Sequence, residues 1–387
     1  IPSENRFSVS YGTTFRQYAT FGDYLAERGG KTDWLTMGTG QRALPDAMPV
    51  HLDLYESATN TDIRNRVTDL GRSLSNSWDA VQATALPDQK LALGISRRFE
   101  KGSFIAGNVT SLTYSYSNTF REAVNNSYSI YNYAYDTPGI LDEYIDRQYR
   151  TSARVGLMHN QTLYPYQGLK LEFRNFFTST AGSGVSVREG RDWYNNGRSV
   201  RSGEIKYSHR LIYTGQLGAE QILNDGRSVI DFTAGYARSA RTEPDIRRYR
   251  YISNDGENSP YIILFGNNPD LSSVSRMWLD LDETNLSGML NLTQKFSEGM
   301  IDWEIRTGIF AENRDRSFRA RNFGYAVSSD TSPFASTSLP VQEIFAAENI
   351  NLTDGIRLKE ITALSDSYEA SAMVLAGYLS FRFRFGT

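Results

Sequence analysis

The side chains with most chemical potential in this chain are tyrosines. Tyr128, Tyr131, Tyr133, Tyr135 and Tyr144 crowd one stretch, and Tyr249, Tyr251 and Tyr261 form a second, sparser set. A phenol ring offers rigid amphipathic area that stacks or hydrogen-bonds at small entropic cost. Such stretches suit capture of a glycan, a peptide or a metal chelate, and equally suit aromatics that hold a long loop together. Arg247, Arg248 and Arg250 offer a basic cluster for lipopolysaccharide phosphates or another anion, with a solvated loop face as the plainer alternative.

Catalysis finds little support. His51, His159 and His209 stand isolated, with no paired-histidine metal motif. Gly182-Ser183-Gly184 lacks a partner histidine and reads as a flexible turn. Asp280, Asp282 and Glu283 invite a calcium reading, but no glycine-punctuated chelating loop follows, so a lumen-facing or rim acidic patch is expected. Without cysteine there is no disulfide framework, thiolate metal site or thiol nucleophile. No enzyme, cofactor or metal site is expected.

These residues must be positioned by strands. The chain has 387 residues, 41 basic against 44 acidic, so no net field recruits nucleic acid. Mean hydropathy is −0.47, and the longest apolar run, Ala372–Leu379, is about eight residues where a spanning helix needs roughly 18. Tyr149, Thr151, Ala153, Val155 and Leu157 interleave with Gln148, Arg150, Ser152 and Arg154. Leu169, Leu171 and Phe173 interleave with Lys170, Glu172 and Arg174, and Ile205, Tyr207, Leu211, Tyr213 and Leu217 with Lys206, Ser208, Arg210, Thr214 and Gln216. A period of two marks strands with one apolar and one polar face. Phe7–Phe15, Leu91–Phe99, Phe104–Tyr116, Ile230–Tyr236, Leu286–Phe296, Ile301–Ala311 and Met373–Phe385 repeat it, for about ten segments longer than the usual strand.

Connections alternate in length. Glu100–Gly102, Pro165–Gly168, Asn224–Gly226 and Ser297–Gly299 are tight turns. Arg16–Gln89, Arg121–Asp146, Thr180–Gly203, Ser239–Ser275 and Arg314–Gly355 read as long loops. That asymmetry, with charges such as Arg150, Arg154, Glu172, Arg174, Lys206, Arg210, Glu304 and Arg306 on the polar face, predicts an up-and-down outer-membrane barrel with a wet lumen. Phe15, Phe99, Tyr149, Tyr213, Phe296 and Trp303 are expected as interfacial girdles. The first long loop carries Ile63, Val67, Leu70, Leu74, Trp78 and Val81 at helical spacing with Asp62 in the first turn, and Pro340 opens a second helix with Val341, Ile344 and Phe345 on one side. Both are expected to pack on their own barrel; the first also suits a membrane surface or partner.

Five ordered segments resemble Bacteroidetes-type TonB-dependent outer-membrane receptors. They are Gly29-Gly30-Lys31-Thr32-Asp33-Trp34-Leu35 with Arg42-Ala43-Leu44-Pro45; Leu86-Pro87-Asp88-Gln89-Lys90-Leu91; Glu243-Pro244-Asp245 before Arg247-Arg248-Tyr249-Arg250; Phe345-Ala346-Ala347-Glu348-Asn349-Ile350; and Ser365-Asp366-Ser367-Tyr368-Glu369-Ala370-Ser371 with Ala376-Gly377-Tyr378. The resemblance implies a plugged barrel of 22 strands that imports a nutrient (glycan, peptide or chelate) with energy from TonB, in contact with lipopolysaccharide and in some relatives a surface lipoprotein. Only about half of such a wall is visible and no plug is recognised, so residues 1–387 are expected to be one partial barrel. A start at Ile1 fits a processed or incomplete chain, and Phe381-Arg382-Phe383-Arg384-Phe385 departs from the family's pattern. Two other readings stay open: a non-transporting barrel subunit of a larger outer-membrane assembly, and an extracellular ligand-binding β-domain.

Overall fold

The computed structural model describes residues 2–52, 60–134, 136–298, 301–328 and 334–385. The strands are β1 (Arg6–Thr14), β2 (Asp23–Ala26), β3 (Val81–Thr84), β4 (Asp88–Lys101), β5 (Phe104–Asn132), β6 (Thr137–Tyr166), β7 (Leu169–Asp192), β8 (Arg198–Leu223), β9 (Ser228–Ser253), β10 (Val274–Glu298), β11 (Ile301–Val327), β12 (Ile356–Glu360) and β13 (Tyr368–Phe385). Helices α1 (Thr61–Ser73) and α2 (Val341–Ile344) lie in connections. Eleven strands make one antiparallel sheet in the order β1-β4-β5-β6-β7-β8-β9-β10-β11, with β12 and β13 pairing different stretches of β11; β2 and β3 form a separate ribbon. Among the described residues β1 and β13 are open edges of this sheet, not paired with each other.

Register shows what the alternation achieves. Side chains directly opposed across antiparallel strands share a face, and Leu163, Leu171, Ala219, Phe232, Leu290 and Ile309 form one such row across six strands. A row on the opposite face reads Asn160, Arg174, Gln216, Gly235, Ser287 and Glu312. The apolar face to which this row belongs is not covered: Leu375 is 74% exposed, Leu286 62% and Ile309 60%. Leu171, Leu211, Leu290 and Ile305 do not meet in a dry interior, and none of them belongs to the buried core. The apolar belt runs from the short-turn end to about Leu91, Tyr114, Leu286 and Ala311, which at roughly 3.4 Å per residue is about 35–40 Å measured along the strands. Above it the same face turns polar at Thr284, Asp282, Asp315 and Glu369.

The strands continue far past the belt. β5 to β11 run 24–30 residues each, so most of Arg121–Asp146, Thr180–Gly203 and Ser239–Ser275 is strand rather than loop, and Gly182-Ser183-Gly184 lies inside β7. Beyond the belt one face is partly covered by packed connections and the other carries paired ions, so a hydropathy alternation disappears while the backbone ladder persists. Three of the tight turns are present; the fourth, around 299–300, lies outside the described residues.

The core sits off the sheet's middle, in a lobe on the apolar-face side at the long-connection end. Leu52, Leu70, Leu74 and Trp78 from the first connection pack with Ile263, Phe334, Val341, Ile344, Phe345 and Ile350 onto Val274, Trp278, Phe323 and Tyr325 of β10 and β11. Trp78 stacks on Phe345 with ring centroids 4.3 Å apart. Helix α1 begins at Asn60, whose side chain accepts the Asp62 N–H, and buries its stripe here; Pro340 is the residue preceding α2 rather than its first turn. Both helices thus pack on this chain, but α1 ends at Ser73, so Trp78 lies in the connection after it and Val81 on β3 rather than on the expected helical stripe. Tyr149 is not an interfacial girdle residue, because Tyr24 of the lobe covers it edge-on at 5.3 Å. Phe99 with Phe104, and Phe296 stacked on Trp303 at 3.9 Å, do lie at the lower end of the belt.

Candidate functional site

The polar face carries a hollow near the upper ends of β6 to β9. It has a volume of about 720 Å³. Its grid follows from register: Asp146, Arg188, Ser202 and Arg250 form one row, and Gln148, Ser186, Glu204 and Arg248 the next. Small residues floor it, and charged or aromatic residues rim it. Gly190 in the row above admits no side chain, since a Cβ there would lie 1.9 Å from the Glu143 carbonyl oxygen at φ +156°.

The charges are mutually fixed. Arg188 donates twice to Asp146, at 2.6 and 2.7 Å, and its guanidinium lies over the Tyr144 ring 4.8 Å from the centroid. Arg250 donates to Asp192 at 2.9 Å, and Asn195 donates to the same carboxylate from its backbone and its side chain. Burial pushes the Asp192 carboxyl up, but the Asn195 donors and Arg250 outweigh it and hold the group below the ordinary carboxylate range. Arg248 pairs with Glu204. Tyr144 donates to Asp142 at 3.0 Å. Burial, then the Asp142 and Asp192 carboxylates, push its phenol up to about 12, so it remains a neutral donor at physiological pH. A hollow of paired ions with one exposed ring, Tyr194, at its lip presents donors and acceptors together to a polar ligand.

The tyrosine set therefore divides. Tyr144 lines this hollow, together with Arg248, Arg250 and an edge of Tyr249. Tyr128 and Tyr131 lie on β5, with Tyr131 against Tyr133 at the exposed hairpin tip. Tyr135 lies outside the described residues. Tyr249 and Tyr251 are on the opposite face, under the lobe, where the Tyr251 hydroxyl donates to the Leu339 carbonyl at 2.7 Å. The Tyr261 ring sits under the Arg201 guanidinium at 4.1 Å. The long-loop binding cluster expected from sequence is not one cluster.

The arginine set divides too, because neighbours on a strand face opposite ways. Arg247 is 3% exposed. It joins a buried network with Glu27, Asp245, Arg42, Asp33 and Arg276, so it is not part of a surface anion site. Arg42 reaches both Glu27 oxygens at 2.8 and 3.0 Å and both Asp33 oxygens at 3.1 and 2.8 Å, with its guanidinium 4.1 Å from the Tyr207 ring centroid. Arg276 donates to both Asp245 oxygens at 2.7 and 2.6 Å. Residues from two of the five family-like segments, Asp33 with Arg42 and Asp245 with Arg247, thus meet in one lock between lobe and sheet. Asp282 pairs with Arg238 and Glu283 with Arg316, so the suggested calcium cluster is split between faces; among the described residues no group of three or more acidic or histidine side chains could hold a metal ion. His159 and His209 make hydrogen bonds to Thr110 and Ser179.

Asp142, Asp146, Arg188, Asp192, Tyr194 and Glu204 had escaped the sequence reading. Their positions carry no apolar–polar period, since Asp142, Tyr144 and Asp146 alternate with Glu143, Ile145 and Arg147, sets of similar mixed polarity. No family model, curated protein or solved structure matches this chain.

Proposed function

We propose that the chain forms lipid-facing wall of an outer-membrane receptor of TonB-dependent type, with a nutrient held at the polar hollow on its way through the lumen. The observation that carries the membrane part is the exposed apolar belt across every long strand of the sheet, backed by a face of serine, glycine and ion pairs. Water does not tolerate so large an uncovered apolar patch on a soluble protein. Open sheet edges do not occur in the hydrocarbon region. The free edges of β1 and β13 are therefore read as joined to further strands in the complete wall. The five family-like segments support the receptor assignment, including the plug and TonB coupling.

The test uses the absence of native cysteine. Leu290→Cys and Ser287→Cys in the complete receptor, spin-labelled in lipid nanodiscs, should differ: the first label collides mainly with oxygen, the second with a water-soluble nickel chelate. Equal, water-like accessibility at both would refute the wall. A strain lacking the protein should lose growth on its nutrient, restored by wild type but weakly by Arg188→Ala with Tyr194→Ala; full growth of the deletion strain on every nutrient tried would refute the receptor.

A further inference from the structure

The lobe hangs on the belt side of the sheet, and its lowest part is a short turn at Asp33–Leu35. Two contacts fix its height. The Tyr114 hydroxyl donates to the Trp34 carbonyl at 3.1 Å while the two rings meet edge to face at 6.5 Å. Thr36 shares a 2.6 Å hydrogen bond with Ser179, which in turn bonds His209. Tyr114 and Ser179 both lie at the level where the apolar belt ends. The turn therefore begins where the lipid-facing surface stops, and continues it outward.

What it exposes there is apolar. Met37 is 70% exposed and Trp34 52%; beside the upper end of β1, Phe15, Tyr18 and Phe21 are also bare, Tyr18 at 77%. Phe15 and Phe21 pair with centroids 6.2 Å apart. Holding these rings outward strains the backbone: Tyr18, Phe21 and Thr36 take left-handed φ of 66°, 60° and 67°. Bulky and β-branched residues avoid that region, and strain of this kind persists where surrounding contacts over-determine it. Thr36 is held by Ser179 and by its own N–H donating to the Asp33 carbonyl, and the Phe21 N–H is held by the Ala85 carbonyl. Arg28 and Lys31 flank the turn, both exposed and, among the described residues, in no ion pair.

We propose that this turn and the 15–21 segment are a foot by which the lobe rests on the outer leaflet, with Trp34, Met37, Phe15, Tyr18 and Phe21 at the headgroup–acyl boundary and Arg28 and Lys31 among anionic headgroups. Aromatic rings with one wet end favour that boundary, and interfacial anchors combine a buried apolar side with basic residues. The inference rests on the belt meeting lipid, and adds that the lobe is a second, monotopic membrane contact. It gives the lobe a lipid-dependent position beside the upper end of the belt.

The experiment places single labels at Leu290→Cys in the belt, Met37→Cys and, separately, Tyr18→Cys in the foot, and Thr353→Cys at an exposed distal part of the lobe, in the complete receptor in nanodiscs containing anionic lipid. Oxygen should dominate over nickel chelate at Leu290, the two should approach parity at Met37 and Tyr18, and nickel should dominate at Thr353. A lipid-like Leu290 with Met37 and Tyr18 as water-accessible as Thr353 overturns the foot and leaves the wall standing. A water-like Leu290 overturns both. Tyr18 serves if the Met37 label disturbs the turn.

Discussion

Arg42→Ala is the sharpest test of how the lobe is held. The guanidinium is 6% exposed and spans two carboxylates, with a further bond to the Gly38 carbonyl at 2.8 Å. Removing it leaves two acidic groups without their main partner, and breaking a buried ion pair from one side costs about 3–5 kcal/mol. Two features pull toward the lower end of that range. Glu27 retains Arg247 at 3.2 Å, and Asp33, with its side chain 22% exposed, can recover water. The expected loss is therefore about 3 kcal/mol, or roughly a hundredfold in the ratio of docked to undocked lobe.

Hydrogen exchange reads this ratio locally. The Gly38 N–H donates to the Tyr207 hydroxyl at 3.0 Å and the Met37 N–H to the Thr32 carbonyl, so both amides report docking. In Arg42→Ala their protection should fall by about two orders of magnitude, while belt amides near Leu290 keep theirs. Arg42→Lys keeps the charge but loses the fork that serves four carboxylate oxygens, and should fall between. Unchanged protection at Gly38 would show that the network is not the lock. Equal loss at Leu290 would show that lobe and sheet unfold as one unit, which the reasoning excludes.

Three further outcomes follow from the same geometry. Glu360 accepts two bonds from Arg321 at 2.9 and 2.7 Å, one from the Leu52 N–H at 2.8 Å and one from Thr362 at 2.8 Å. Burial raises its pKa, but these donors outweigh that and hold it below the usual carboxylate value; its stabilisation is thus full above the unfolded-state pKa and drains as pH falls through the depressed folded value. The protection factor of the Leu52 amide, with the intrinsic pH dependence of exchange divided out, should fall once pH drops below the unfolded-state carboxylate pKa in wild type, with a flatter profile in Glu360→Gln. Leu290→Arg, on the belt, should cost about 2–4 kcal/mol of stability in lipid, against little for Thr293→Arg on the polar face, measured by denaturant unfolding in vesicles. Gly190→Ala should destabilise the upper part of the β6–β7 ladder by roughly 1–3 kcal/mol, seen as faster exchange around Tyr144 with the lower strands unaffected.

The boundary between what could be read from residues and what could not follows the belt. Between the short turns and about Leu91, Leu157, Leu217, Leu290 and Ile309 each strand has one apolar and one polar face, so side-chain type reports facing at every position, and the strands are legible there. Higher up, β6 carries Asp142, Tyr144 and Asp146 toward the hollow while Ile145 and Arg147 face the other way; both sets are mixed in polarity, and no period survives in hydropathy. The backbone ladder needs no such period, because each N–H and C=O finds its partner whatever the side chains do. That is why Tyr128, Tyr144, Tyr249 and Tyr251 looked like one kind of loop aromatic yet divide between two faces and several environments. The lobe's helix was legible only in its first turns: the apolar spacing through Leu70 is helical, whereas Leu74 and Trp78 continue that spacing and join the same buried cluster from beyond the helix end at Ser73. Where it docks was not legible, since Arg42, Asp33, Glu27, Asp245 and Arg276 are scattered over some 250 residues of sequence and their charges look like ordinary surface until register brings them together. The one cue was that Arg247 shares strand parity with Tyr249 and Tyr251, not with Arg248 and Arg250. A basic run on a strand is two half-runs with separate partners, and here one half locks the lobe while the other rims the hollow.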